Sequence, residues 1–416
     1  MQTCGLINRQ SVQGMTFIFV LQSVLIVFAI AELVASNYPK IQQQLYVVAF
    51  LFTAVWCTAK YAYGPDICIY IPYFRLTTND LMYNLTHPIH GYLYEKGFVV
   101  VCSLCRIAGM TYWEFTAVIS VIYFVVLWFL LKNVKRYRTM ALLALVFLDS
   151  NLFLVELRQC LAVSCFYVAI MAYNNKRYLW AVIFAALMLT MHKTAFVVLI
   201  ITVLFYMTRG LRLETKSYLL LALLIFGLMF LPISEMLSSV VSELPLPASY
   251  IASAKHHLLV GKNFQKVIIL YISTILVLAW YTQTPTDSKA RHWLMWCCVA
   301  VLAFLFPYWF LLNRFRSFFI PFLIMYVIET INNESADVLP RQIYTSVVMA
   351  YICLMTVLIP HNNKSLKYPT DRVSVVFERI NHSEVDLTER QLKQAIKYWE
   401  YDYGKLIENG QNGQKE

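Results

Sequence analysis

Apolar runs long enough to cross a lipid bilayer recur along almost the whole chain, and this limits its possible folds more than any other feature. A helix needs about 20 apolar residues to cross the hydrocarbon core. The candidate spans are 15–36, 44–62, 112–132, 139–154, 157–173, 178–191, 194–208, 217–233, 264–283, 293–312, 316–331 and 342–360. Hydrophobic residues make up 60% of the chain and charged residues only 14%, which excludes an ordinary soluble enzyme.

The fold class that these runs predict is all-α, a polytopic transmembrane helical bundle of about 12–13 spans. We expect this bundle to occupy residues 1–360. A polar tail follows over residues 361–416, with a short amphipathic helix near 389–401, where Leu392, Ile396 and Trp399 recur at helical spacing. Such a helix is typical of one that lies on a membrane or on neighbouring loops.

Basic residues cluster in the short loops between the runs and predict the side of the membrane on which each loop lies, because basic short loops stay in the cytoplasm. They are Lys132, Lys135, Arg136, Arg138, Lys176, Arg177, Arg209, Arg212, Lys216, Lys289 and Arg291. Counting spans from residue 112 onward then places segments 155–157 and 313–316 and His192 on the outer side. The tail holds nine basic and nine acidic residues, so the net charge of +11 reports membrane topology and not nucleic-acid binding.

The apolar segment 97–110 leaves two topologies open. It is short for a span and carries Arg106. If it crosses the membrane, the polar stretch 63–96 lies inside. If it is re-entrant, that stretch lies outside with the other breaks, and we favour this alternative.

Two carboxylates outside the apolar runs are candidates for acid–base chemistry. Asp66 follows the turn at Gly64-Pro65, and Glu95 opens an apolar segment. Each also has a structural interpretation, which for Asp66 the local pattern favours. Asp66 is placed to cap a helix that starts at 66–67, and an acidic residue at a helix start is stabilised by the helix dipole.

Four cationic or titratable side chains lie in the predicted outer breaks: Arg158, His192, Arg314 and Arg316. A cation beside hydrocarbon costs several kcal/mol, so it needs a partner or a wet cavity. Glu156 is near Arg158 in sequence, but an i,i+2 spacing points the two to different faces of a helix and leaves Arg158 available to a ligand. A loop histidine is more often incidental, although His192 can donate to a phosphate or carry a proton near neutral pH. Guanidinium forks suit phosphate or carboxylate.

The ten cysteines include Cys102, Cys105, Cys297 and Cys298, which lie in apolar segments. There a CxxC spacing is more often a pair of small packing residues than a redox or metal site, because thiolates need polar surroundings. No paired His/Cys spacing accompanies them, so the sequence implies neither a metal nor a cofactor.

Four short motifs follow one another in the polar breaks. They are Gly64-Pro65-Asp66 with Tyr70, Glu95-Lys96-Gly97-Phe98, Arg158-Gln159 with Ala162, and His192-Lys193-Thr194-Ala195. In this order they resemble the EpsG family, Wzy-type polymerases of bacterial capsular polysaccharide and exopolysaccharide, over roughly residues 15–360. Lys96 stands where the family usually has proline, and Thr194 stands where it usually has serine. The tail after about residue 370 has no counterpart.

The resemblance implies an enzyme of the bacterial inner membrane that polymerises undecaprenyl-diphosphate-linked oligosaccharide repeat units at the outer face. It implies a lipid-linked oligosaccharide substrate, membrane lipids, a chain-length regulator and a flippase as partners, and no nucleic acid. A diphosphate leaving group needs cations, so we expect Arg158 and Arg314 to bind it with support from Arg316, and we expect Asp66 or Glu95 to deprotonate the acceptor hydroxyl. The expected site residues are Asp66, Glu95 and His192 for catalysis, and Arg158, Arg314, Arg316, Tyr70 and Gln159 for substrate binding.

Other functions stay open on the sequence. A lipid-linked glycan ligase would use the same chemistry with a different acceptor. A flippase or other transporter would place its charges along a path through the bilayer midplane, whereas these charges gather near one face. A membrane acyltransferase would centre on a histidine at a cytoplasmic or buried face, which disagrees with the predicted outer position of His192.

Overall fold

The structure is a computed structural model that describes residues 16–60, 66–87, 89, 94–132, 134, 136–208, 314–315, 317–322, 324–325 and 328. The regular secondary-structure elements of more than one residue that these residues form are helices. They are α1 Thr16–Val34, α2 Pro39–Thr58, α3 Ile67–Leu76, α4 Leu81–Thr86, α5 Lys96–Ile107, α6 Tyr112–Leu131, α7 Arg138–Leu154, α8 Leu157–Asn174, α9 Tyr178–Met191 and α10 Ala195–Thr208. Residues 314–328 contribute further helical pieces.

The predicted spans from 15–36 to 194–208 correspond to α1, α2, α6, α7, α8, α9 and α10, with ends that differ by a few residues. The short helix α3 is the one that the capping interpretation of Asp66 requires, and the shorter α4 was not predicted. The predicted spans between residues 217 and 312, the span 342–360 and the tail 361–416 lie outside the described residues.

Apolar side chains cover the outside of the described helices as well as their interior. Two helices, α2 and α6, are long and apolar enough to cross a membrane, and α9 is a shorter apolar helix. Large side chains such as Val55, Phe129 and Val182 point outward with 67%, 53% and 67% of their surface exposed. A water-soluble protein does not tolerate so much outward apolar surface. The chain is therefore an all-α membrane protein.

The described residues fall into two compact units. The first unit contains α1 to α9. The second contains α10 and the helical pieces at 314–328, with Phe315, Phe318 and Ile320 buried.

Helix α8 packs against α6, α7 and α9 in the first unit, and α2 packs against α1, α6 and α7. The interior between them holds fully buried aromatic side chains, among them Tyr123, Phe153 and Tyr167. Buried hydroxyl groups donate to carbonyls one turn back in their own helix, as Ser120 does to Thr116 at 3.0 Å and Ser164 to Cys160 at 2.7 Å. Such bonds satisfy polar groups without help from water.

A buried carboxylate caps α7 from another helix. The Glu32 side chain of α1 accepts the backbone N–H of Thr139 at 3.0 Å and of Met140 at 3.2 Å. These amides belong to the first turn of α7, whose N–H groups have no partner within the helix. Tyr137, the residue before α7, has a left-handed backbone and makes no side-chain cap of its own. Glu32 thus joins the end of α1 to the start of α7.

The short helix α5 begins at the same end of the first unit as α6. Phe98, in the first turn of α5, lies 6.0 Å from Phe115 in the first turn of α6, measured between ring centroids. Helix α5 has 12 residues, about 18 Å at 1.5 Å per residue, which is shorter than a hydrocarbon core of about 30 Å. Residues 108–111 join the end of α5 to the start of α6, so both ends of α5 lie near that start. The re-entrant topology stays a prediction.

Candidate functional site

A break between α7 and α8 places an arginine at the start of α8. Helix α7 has a non-helical residue at Asp149 and ends at Leu154. Instead of reaching back to the carbonyl of Phe153, as a continuing helix would, the N–H of Leu157 donates to the carbonyl of Val155 at 3.1 Å. Helix α8 then starts anew, with Arg158 as its second residue.

The Arg158 guanidinium makes three different contacts. Its Nη1 donates to Glu95 Oε2 at 2.8 Å, and its Nε donates to the hydroxyl of Tyr70 at 3.0 Å. Its Cζ lies 4.3 Å from the ring centroid of Tyr94, within cation–π range. The sequence prediction that Arg158 is left available by Glu156 is thus incomplete, because its carboxylate partner is Glu95, 63 residues away.

Both carboxylate oxygens of Glu95 accept hydrogen bonds from other segments. Oε2 takes the Arg158 bond, and Oε1 accepts the backbone N–H of Lys193, just after α9, at 3.1 Å. The side chain is only 8% exposed. Glu95 is the N-cap residue of α5, but it makes no side-chain hydrogen bond to the amides of that helix. Its carboxylate therefore joins the starts of α5 and α8 to the end of α9.

The absence of a side chain at Gly97 allows this three-way junction. A Cβ placed on Gly97 would overlap Thr190 Oγ1 and lie 2.9 Å from both the Cβ and the carbonyl oxygen of Thr190. Real Cβ atoms essentially never come so close to other atoms. Glycine thus lets α5 cross the end of α9 closely enough for Glu95, two residues earlier, to reach the Lys193 amide.

Aromatic side chains from α3 and α5 surround the ion pair. The ring centroid of Tyr94 lies 4.5 Å from that of Tyr73 and 5.7 Å from that of Phe98. The Tyr70 ring lies 5.7 Å from Phe98. Burial raises the pKa of the Tyr73 hydroxyl above its ordinary value.

The Arg158 side chain is partly exposed. Among the described residues, Nη2 donates to no acceptor, and the side chain as a whole is 21% exposed. A guanidinium held by other partners through Nε and Nη1 presents Nη2 in a fixed direction. An anion that arrives there meets a preorganised, charge-assisted donor.

The remaining predicted site residues are placed as follows. Gln159, beside Arg158, is buried, and His192 is the buried C-cap residue of α9, directly before the Lys193 amide that binds Glu95. Asp66 is half-buried at the N-cap of α3, but its side chain makes no capping hydrogen bond, so the capping interpretation does not account for it.

The two other predicted cations do not belong to the described part of the first unit. Arg314 belongs to the second unit, and Arg316 lies outside the described residues. Sequence reasoning missed Tyr94 and the Lys193 amide as parts of the site. The need for a partner at a buried cation was a signal that a carboxylate must lie close to Arg158.

The helices and the junction define a class, an all-α membrane protein with a partly accessible arginine held at a helix start by a carboxylate from another segment. The sequence profile of the EpsG family matches residues 44–370, well over half of the chain. The protein therefore belongs to the EpsG family and is a membrane protein of polysaccharide biosynthesis. Comparison with curated proteins and with solved structures gave no match.

Proposed function

We propose that the protein polymerises oligosaccharide repeat units carried on undecaprenyl diphosphate, at the outer face of the bacterial inner membrane. Membership of the EpsG family supports polysaccharide biosynthesis. The observation that carries the finer proposal is the partly exposed Arg158 side chain at the start of α8, whose Nη2 donates to no acceptor among the described residues. A diphosphate at the membrane surface is a ligand that matches this donor in charge and geometry.

The reaction that fits this site is a single displacement at an anomeric carbon. A hydroxyl of the incoming lipid-linked unit attacks C1 of the first sugar of the growing glycan. The new C1–O bond forms as the bond from C1 to the diphosphate oxygen breaks, and undecaprenyl diphosphate leaves with the electron pair. Arg158 stabilises the charge that develops on the leaving diphosphate, a contribution of about 2.7–4 kcal/mol for one preorganised donor.

The base that accepts the acceptor proton is Asp66 in this proposal. Glu95 was an equal candidate on sequence grounds, but both of its oxygens already accept hydrogen bonds. Asp66 precedes Tyr70, a direct contact of Arg158, by one helical turn. His192 acts as a second donor to phosphate or carries a proton away, and Arg314 and Arg316 add positive charge.

A reconstituted reaction tests the proposal. The purified full-length protein in lipid nanodiscs is supplied with lipid-linked repeat units isolated from a strain that lacks its gene. We expect a ladder of longer lipid-linked glycans and release of undecaprenyl diphosphate. Asp66→Asn should remove this activity, because an amide cannot accept the proton. No extension by the wild-type protein would overturn the proposal, and full activity of Asp66→Asn would overturn the role of Asp66.

A lipid-linked glycan ligase is the second candidate function, because the same accessible arginine serves any reaction that releases undecaprenyl diphosphate. The reaction above separates the two. A polymerase extends one lipid-linked unit with another, whereas a ligase consumes the lipid-linked glycan only after a different acceptor is added.

A further inference from the structure

A buried lysine outside the proposed site contacts the break that carries Arg158. Lys60, two residues after the end of α2, is 4% exposed. Its Nζ donates to the backbone carbonyl of Phe153, in the last turn of α7. An ionisable side chain buried among membrane helices is costly and points to a functional role.

The carbonyl that Lys60 contacts is the one a continuous helix would use. In an unbroken helix the N–H of Leu157 would donate to the carbonyl of Phe153. Here that N–H donates to the carbonyl of Val155 instead, at 3.1 Å. A cation at a helix C-terminus satisfies such an unused carbonyl and interacts favourably with the helix dipole. Lys60 thus stabilises the end of α7 at the point where the chain turns into α8.

The chain after α2 contacts the α7–α8 region a second time, at Arg158. Lys60 joins the segment after α2 to Phe153, and ten residues later Tyr70 accepts the Nε hydrogen of Arg158 at 3.0 Å. Lys60 therefore contacts the α7 side of the break, and Tyr70 contacts the α8 side. If the first contact is lost, the carbonyl of Phe153 becomes available to Leu157, and continuation of the helix would rotate Arg158 away from Glu95 and Tyr70.

We propose that Lys60 is a positioning residue that keeps the α7–α8 break open and thereby orients Arg158 toward a lipid-linked diphosphate. The lipid-linked diphosphate in this proposal rests on the proposed function. The break between α7 and α8 does not depend on that ligand, so one experiment tests the break and another tests ligand binding.

The alkylation rates of native cysteines measure whether the break between α7 and α8 opens, and this measurement needs no ligand. Cys57 and Cys160 lie close enough to Lys60 to interact with its charge, and both are fully buried. Cys102 on α5 is also fully buried but is not among the groups that interact with Lys60. In Lys60→Met we expect alkylation of Cys160 by N-ethylmaleimide, followed by peptide mass spectrometry, to become at least about tenfold faster through local opening. Cys102 should stay protected. Unchanged alkylation of Cys160 would overturn the proposal.

Binding of undecaprenyl diphosphate to the full-length protein in nanodiscs gives the second measurement. Mutations along a contact network shift binding by about 2- to 30-fold, and we expect a Kd increase in that range for Lys60→Met. The matched control is Lys40→Met, the same substitution at an exposed residue in the first turn of α2. It should change neither Kd nor Cys160 alkylation. An unchanged Kd for Lys60→Met in a protein that binds the probe through Arg158 would contradict the proposal.

Two further variants decide the matter if Lys60→Met also exposes Cys102, as a globally unfolded protein would. Lys60→Arg keeps the charge and should keep Cys160 protected, whereas Lys60→Gln is shorter and neutral and should expose it. Equal Cys160 protection in the two variants would overturn the proposal. If wild type fails to bind undecaprenyl diphosphate, or binds it independently of Arg158, the proposed function fails, while the alkylation rates still test Lys60.

Discussion

Glu95 Oε2 lies 2.8 Å from Arg158 Nη1, and this ion pair joins two membrane-associated helix starts that are 63 residues apart in sequence. The pair is partly buried, with 8% of the Glu95 side chain exposed. Removing one member of a buried pair leaves the other charge uncompensated, which costs about 3–5 kcal/mol. The pair therefore holds Arg158 in place while leaving Nη2 for a ligand, and this arrangement leads to four predictions.

The first prediction concerns Arg158. Arg158→Ala should lower the rate of glycan extension by about 10²–10³, the effect of removing one preorganised charge-stabilising donor. Arg158→Lys should recover little activity, because an ammonium cannot donate to Tyr70, Glu95 and a ligand with the planar geometry of a guanidinium. Extension in nanodiscs measures both.

The control for Arg158 is Arg177→Ala, which changes an exposed arginine at the other end of α8. It should leave extension unchanged. Full extension by Arg158→Ala, with normal amounts of protein in the membrane, would mean that Arg158 only stabilises helix packing.

The second prediction separates positioning from proton transfer at Glu95. Glu95→Gln replaces one of two acceptor oxygens with a donor, so either Arg158 or the Lys193 amide loses its partner. Hydrogen bonds to charged groups contribute about 1.5–3 kcal/mol, so we expect binding of undecaprenyl diphosphate to weaken by about 10- to 100-fold. A catalytic base would instead lose turnover with its affinity for undecaprenyl diphosphate intact, and that result would contradict the positioning role.

Glu114→Gln is the matched control for this substitution. Glu114 forms a capping box with Thr111 at the start of α6. Glutamine serves in a capping box as well as glutamate does. The affinity for undecaprenyl diphosphate should therefore stay at the wild-type value.

The apolar helices were predictable from sequence, whereas the contacts between them were not. An apolar run of sufficient length has few alternatives in a bilayer, so α2 and α6 follow from hydropathy within a few residues, and α7 to α10 also correspond to predicted apolar runs. The short helices α3 and α4 have no such constraint. Helix α3 contains Pro72, and its last turn packs Phe74 on Phe115, with ring centroids 4.9 Å apart.

The candidate site was predictable as a set of residues and not as an arrangement. Asp66, Glu95, Arg158 and His192 were selected because they interrupt apolar runs. The position of Glu95 between Arg158 and Lys193 depends on where α5 crosses α9, and that crossing requires the absence of a side chain at Gly97. Local periodicity carries no information about such a crossing. A buried cation could only indicate that some carboxylate lies near it.

The third prediction concerns this crossing. Gly97→Ala should force α5 away from Thr190, since overpacking of a tight contact costs about 1–3 kcal/mol. We expect a lower thermal midpoint together with weaker binding of undecaprenyl diphosphate, because Glu95 moves with α5. The control is Gly109→Ala, where the new Cβ meets no atom within 4 Å but the backbone has a positive φ of 72°. That variant should lose some stability through backbone strain and keep its affinity. Equal affinity in both variants would contradict the role of the crossing.

The fourth prediction concerns the side of the membrane on which the site lies. Lys176 and Lys193 flank α9 at its two ends, and both are exposed. The basic loop at Lys176 predicts a cytoplasmic position, so Lys193 and the adjoining Glu95–Arg158 pair should face outward. In a background whose native cysteines do not react, a membrane-impermeant maleimide added to intact spheroplasts should label Lys193→Cys and not Lys176→Cys. Both should react once the membrane is permeabilised. The reverse pattern would place Arg158 on the cytoplasmic side, where a polymerase of outward-facing repeat units has no substrate.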